Sequence, residues 1–180
     1  MKTILRDVLI TLAIALAIFF FLRASVQAYK VIECCMEPNY VEGEWLLASK
    51  ATYWFHEPER GDVIILDPPF DTEEVYIKRL IGLPGDTVEE KDGAVYLNGT
   101  ALDEPYIKEA PTYTFPLIEL GGDEYFVLGD NRNNANDSSK GWLTSRDAII
   151  GKAWFSYWPI SEWGGANNYP LEDQLEAATE

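Results

Sequence analysis

Val75-Tyr76-Ile77-Lys78-Arg79-Leu80-Ile81-Gly82-Leu83-Pro84-Gly85-Asp86 is the stretch around which the rest of the chain is organised. It alternates as a strand as far as Gly82, and Leu83-Pro84-Gly85-Asp86 then turns the chain. With a period of two, Tyr76, Lys78 and Leu80 share one face, and Ile77, Arg79 and Ile81 share the other. An ammonium between large apolar neighbours is poorly hydrated, and desolvation disfavours its charged form. A lysine in such a place can be neutral near physiological pH and act as a general base. The competing reading is an edge-strand lysine whose head reaches water. The stretch alone does not decide between them.

Working outward, the composition narrows the field. The 180 residues suit one domain with room for a small insertion. Thirty acidic residues against fourteen basic ones give a formal charge of −16, which excludes nucleic acid as a natural partner. The acidic excess grows toward the end, where no Lys or Arg follows Lys152. The two cysteines, Cys34 and Cys35, are adjacent, so they make neither a disulfide framework nor a zinc site, both of which need spaced residues. His56 is the only histidine, hence the only candidate for a histidine-dependent triad.

At the N-terminus, Lys2 and Arg6 precede an uninterrupted apolar run from Val8 to Leu22, closed by Arg23. As a helix the run spans about 22 Å, rising to about 31 Å if the helix continues to Ala28 with Arg23 snorkelling, against a hydrocarbon core of roughly 30 Å. Two readings fit. Val26-Gln27-Ala28 offers the small residues of a signal-peptide cleavage site. The same segment also reads as an uncleaved anchor with its basic end inside. Either way, the remainder is delivered to the outer side of a membrane.

Beyond Tyr29 the pattern is β. Strands are expected at Tyr29–Ile32, Trp45–Ala48, Val63–Leu66, Val75–Gly82, Thr87–Glu90, Ala94–Leu97, Thr100–Leu102, Tyr125–Leu128 and Trp154–Trp158. Asp92-Gly93 and Asn98-Gly99 are tight-turn signals. Tyr53-Trp54-Phe55-His56 reads as an aromatic loop, Glu104–Leu120 as an irregular Pro-rich excursion, and the tail from Gly164 as mobile apart from a short helix near Leu171–Ala178. The fold class is mainly β.

Three polar stations interrupt this pattern: Cys34-Cys35-Met36, Lys78, and the loop Gly129–Ser139. A thiol beside a desolvated lysine is a plausible nucleophile–base pair. Against it stand two ordinary cysteines, or a vicinal disulfide on the oxidising side of a membrane. For the loop, the alternative is a solvated turn rich in Asn and Asp.

In order, Cys35-Met36-Glu37-Pro38, Gly61-Asp62-Val63, Tyr76 to Asp86, and Gly129-Asp130-Asn131-Arg132-Asn133-Asn134 resemble the successive sequence boxes of the type I signal peptidases. Asn98-Gly99 and Glu104-Pro105-Tyr106 match a lesser motif between them. The resemblance covers about Tyr29 to Pro159, and a single transmembrane helix ahead of it also fits. It implies a signal-peptidase-like antiparallel β core with a small inserted β excursion. The chain then divides into an anchor (1–28), a peptidase domain (29–160, with the insertion at about 88–122) and an acidic tail (161–180).

The resemblance also implies a membrane-bound endopeptidase that cuts signal peptides from exported preproteins at small-x-small sites, on the outer face of the plasma membrane, without metal or other cofactor. Lys78 is then the general base, and Cys35 stands where the family has its serine nucleophile. The Cys35 N–H belongs to the oxyanion hole. Glu33, Cys34, Met36 and Ala135 surround the site, with Glu33 and Ala135 at positions the family usually fills with Gly or Ser and with Ser. Ser139 sits where an arginine is frequent. Arg79, Asp130 and Asp137 match and are expected to group as scaffold, since a buried arginine needs carboxylates nearby. Beside Lys78 the Cys35 thiol is expected to ionise below its ordinary range as a thiolate–ammonium pair. Tyr53, Trp54 and Phe55 are expected either in the membrane interface or in the core. The alternative to a peptidase is a degenerate relative that binds exported peptides without cutting them, suggested by Glu33, Cys35 and Ala135.

Overall fold

The computed structural model describes residues 2–70 and 72–177. Helix α1 runs from Lys2 to Ser25, and at 1.5 Å per residue its 24 residues extend about 36 Å. Within Thr3–Ser25 an apolar window has a mean hydropathy of 2.4, and the side chains of that window are not buried by the rest of the protein. That is long and apolar enough to cross a bilayer. The helix stops short of Ala28. Ser25 Oγ donates to Phe21 O, while Ser25 O accepts from Lys50 N and Ala51 N, tying the helix end to the globular part. Val26, Gln27 and Ala28 instead begin strand β1 (Val26–Lys30), opposite Ser49, Ala48 and Leu47.

The strands that follow are β2 (Trp45–Ser49), β3 (Val63–Leu66), β4 (Tyr76–Gly82), β5 (Thr87–Lys91), β6 (Ala94–Leu97), β7 (Thr100–Ala101), β8 (Phe115–Glu119), β9 (Phe126–Leu128), β10 (Ile149–Trp158) and β11 (Gly164–Gly165). A seven-stranded antiparallel sheet has the order β1-β2-β10-β3-β4-β9, with β11 on β10, and a four-stranded sheet the order β7-β6-β5-β8. The smaller sheet is formed by the strands that lie between β4 and β9 in the chain. Its hairpins turn at Asp92-Gly93 and Asn98-Gly99, all four with positive φ, the geometry a two-residue hairpin loop requires.

Three expectations need correction. The Pro-rich excursion contains β8, which tolerates Pro116 because it pairs only with β5, at the sheet edge. The aromatic loop is a short helix, α2 (Thr52–Phe55), that buries Tyr53, whose hydroxyl donates to Asp62 at 2.8 Å, and leaves Trp54 and Phe55 exposed. The tail is docked. β11 pairs with β10, Asn168 Oδ1 accepts from Val63 N, Tyr169 N donates to Gly61 O, and Leu171 is fully buried before helix α3 (Glu172–Ala177). Gly61 has φ +90, and a Cβ there would fall 1.6 Å from Tyr169 O, so only glycine lets the tail approach. Local composition hid this because Asn168 and Tyr169 find their partners at Val63 and Gly61, about a hundred residues earlier. Ala178 and Glu180 lie outside the described residues.

Strand β4 is central to the fold. From Ile77 to Gly82 it is buried, with Ile77 in one apolar cluster, Ile81 in a second and Leu80 in a third. A strand covered on both faces has nowhere to send a charged side chain except to a partner built for it.

Candidate active site

The 3-10 turn Cys34–Met36 follows extended Glu33 and buries Cys35 and Met36. Loop 129–137 clamps it. Asn131 N donates to Cys35 O and Asn131 Nδ2 to Cys34 O, each at 3.0 Å. Gly129 makes the close approach possible, since a Cβ there would lie 2.5 Å from Cys35 O and 2.6 Å from the Ala135 methyl. In so short a turn the Cys35 N–H precedes the first internal hydrogen bond, and among the described residues it meets no backbone acceptor outside the turn.

Lys78 is 0% exposed, yet its Nζ lies 3.1 Å from Cys35 Sγ and 3.1 Å from Ile77 O, to which it donates. The two cysteines diverge. Cys34 Sγ accepts from Asn134 Nδ2 at 3.0 Å, and both cysteines are free thiols rather than a vicinal disulfide. Burial pushes the Cys35 thiol up, and Glu33 and Asp137 add to this, outweighing the charge and hydrogen bond of Lys78 that pull it down. That direction runs against the expected thiolate–ammonium resting pair. Desolvation of a buried anion exceeds what one cation returns.

A pocket of about 30 Å³ opens beside the pair, between Lys30–Glu33 and Glu74–Lys78, with Cys35 in its wall. The β4–β9 ladder begins at Arg79, so among the described residues Tyr76–Lys78 present a strand edge without a β partner on that side. Glu33 lies at the mouth with its side chain exposed, and it also lines a separate polar groove with Cys34 and Ala135. Met36 lines neither space. It is 0% exposed and packs with Tyr40, Val63 and Ile65. His56 lines a different groove, with Glu57, Glu59, Asp62 and Lys152, and the fold does not bring it to the cysteines.

The scaffold is grouped differently from the expectation. Arg79 donates from Nε and Nη2 to the two Asp130 oxygens, both at 2.8 Å, with both side chains 0% exposed. Burial opposes its charge, but the paired Asp130 overrides this and holds the guanidinium pKa above its ordinary value. Asp137 does not join them. It accepts from Gly129 N and from the Ser139 N–H and hydroxyl, and so shapes the loop rather than neutralising Arg79. Two supports were not foreseen: Asn167 stands in no local pattern, and the motif that holds Tyr106 does not tell that its ring faces an arginine 27 residues earlier. Asn167 O accepts from Arg79 Nη1, and the Tyr106 ring lies 4.1 Å from the Arg79 guanidinium carbon.

The chain matches the family model for signal peptidase, peptidase S26, over residues 2–158. It belongs to that family. Among its relatives, a probable signal peptidase I-1 of Synechocystis is 39% identical over 88% of this chain and 85% of that protein. Signal peptidase I of Bacillus amyloliquefaciens is 38% identical over 87% and 85%. Signal peptidase IB of Staphylococcus aureus is 32% identical over 91% and 94%. A solved signal peptidase I from Enterococcus faecalis is 32% identical with a TM-score of 0.49, covering 54% of this chain and 97% of that one. Family membership makes the chain a peptidase, and the mainly β fold behind one apolar helix accords with it.

Proposed function

We propose that this protein removes signal peptides from exported preproteins, with Cys35 as the nucleophile and Lys78 as the base. The observation that carries the reading is the buried 3.1 Å contact between Cys35 Sγ and Lys78 Nζ beside a small pocket and an open strand edge. An extended substrate adds its main chain to Tyr76–Lys78 by strand addition, and a pocket of about 30 Å³ admits only a small side chain next to the scissile bond. Lys78 takes the thiol proton as sulfur attacks the carbonyl carbon. The oxygen gains the negative charge, which the open Cys35 N–H meets. The ammonium of Lys78 then returns the proton to the departing nitrogen, so the C–N bond breaks as a neutral amine leaves and a thioester remains. Lys78, neutral again, takes a proton from water as water attacks the thioester. The acid product and the thiol are released.

Helix α1 is the anchor in this reading. Cleavage after Ala28 would remove Val26–Ala28 from β1, three residues that pair with β2. With Lys2 and Arg6 inside, the peptidase domain sits on the outer face of the plasma membrane, where exported preproteins emerge. The non-cleaving alternative is not favoured, since the relatives are named as peptidases and the pair is assembled rather than dispersed. Incubating the full chain in detergent with a model preprotein and reading the products by mass spectrometry tests this. Cleavage after a small residue, absent in Cys35→Ala, is expected. Binding without cleavage would return the alternative.

A further inference from the structure

The Cys35–Lys78 pairing of the proposed function, on which this inference rests, requires that the lysine be held in place. Two hydrogen-bond partners, Cys35 Sγ and Ile77 O, leave one side of Nζ free, and the Tyr76 ring faces it with its centroid 4.9 Å away. Tyr76 and Lys78 leave β4 on the same face, but the strand does not by itself decide where a tyrosine ring turns. A chain of contacts from the polar loop does. Trp142 Nε1 donates to Asn136 Oδ1 at 3.2 Å, and Asn136 Nδ2 donates to the Tyr76 hydroxyl at 3.2 Å. Trp142 is buried and packs edge-on against both Tyr76 and Phe70. Neither Asn136 nor Trp142 lines the pocket beside the pair.

We propose that Tyr76 is a positioning residue for Lys78, its ring steered by Trp142 and Asn136 so that Nζ stays against Cys35 Sγ and the ammonium is favoured once it forms. The face of an aromatic ring attracts a cation and gives little to a neutral amine, so the ring acts on the proton-transferred state of the pair. Cys35 faces Nζ from the 3-10 turn, and Tyr76 faces it from β4. Glu33 and Asp137 act on the thiol, and both oppose its ionisation. The ammonium is what balances the thiolate, and the ring supports the ammonium.

Alkylation with iodoacetamide tests this without requiring turnover. The S–C bond forms as iodide leaves, and the rate follows the thiolate fraction. In the full chain carrying Cys34→Ser, Tyr76→Leu is expected to slow alkylation at neutral pH about tenfold and to raise its pH midpoint by about one unit. Tyr76→Phe keeps the ring and loses its steering, so a drop of about two- to threefold is expected, matched by Asn136→Ala. With Lys78→Met as background, Tyr76→Leu should add nothing, because its effect passes through the lysine. Parental rates in Tyr76→Leu, an equal loss in Tyr76→Phe, or further slowing in the Lys78→Met background would each overturn the proposal. If this pattern holds while the preprotein stays uncut, the peptidase reading fails and the positioning role stands.

Discussion

At Cys35 and Lys78 a thiol and a lysine side chain share a site from which water is nearly excluded. Because burial pushes the thiol up, its alkylation midpoint should lie above the ordinary value of about 8.5 and move higher still in Lys78→Met, which removes the one group pulling it down. Lys78→Met keeps the buried stem, so the fold should melt within about 1 kcal/mol of the parent while cleavage falls at least about a hundredfold. Wild-type turnover in that variant would remove the lysine from the mechanism. Cys35→Ser keeps a nucleophilic oxygen facing the base and should still cleave the model preprotein, whereas Cys35→Ala should not.

Among the elements, the turn after β4 and the start of the C-terminal helix are joined by Arg60. It donates to both Asp86 oxygens at 2.8 Å and reaches Glu172 on α3. Burial raises the Asp86 carboxyl, but hydrogen bonds from Arg60, Asn98 and the Leu83 N–H outweigh it and hold the pKa below the ordinary value. A depressed carboxylate stabilises the fold fully above its unfolded pKa of about 4, and that contribution is lost as pH falls through the folded value. Asp86→Asn should therefore destabilise the protein at neutral pH by about 1–3 kcal/mol, and the gap between the two melting curves should close toward pH 3. Arg79→Ala leaves the buried Asp130 charge with the Asn39 amide but no cation and strips two carbonyls of their donor, so a loss of about 3–5 kcal/mol is expected by urea denaturation.

On the scale of the whole molecule, α1 and the exposed aromatic end of α2 lie together. The Phe21 and Trp54 rings meet edge-on with centroids 6.3 Å apart, and Phe55 is 79% exposed beside them. Aromatic side chains of this kind favour the lipid headgroup layer. In vesicles the protein should resist alkaline extraction with Lys2 still at or near its N-terminus. Placing Trp54 within reach of a lipid-borne quencher should reduce its emission. Finding Tyr29 at the N-terminus of the membrane-bound form would show that the helix is cut away.

The sequence by itself determined what depends on near neighbours. Alternation from Tyr76 to Gly82 made a strand, Asp92-Gly93 and Asn98-Gly99 made hairpins, the charge-free run from Val8 made a helix, and the ordered boxes marked Cys35 and Lys78 as a pair. Only the tertiary structure decided that Gly164–Leu171 docks, that Phe115–Glu119 is a strand, that Asp130 rather than Asp137 answers Arg79, and that Asn136 and Trp142 reach Tyr76. Each of these depends on a partner distant in sequence or on how much water the finished fold excludes. The same reason explains Cys35: closeness to a lysine foretold a thiol that ionises more readily, and burial, a property of the whole fold, pushes its pKa the other way.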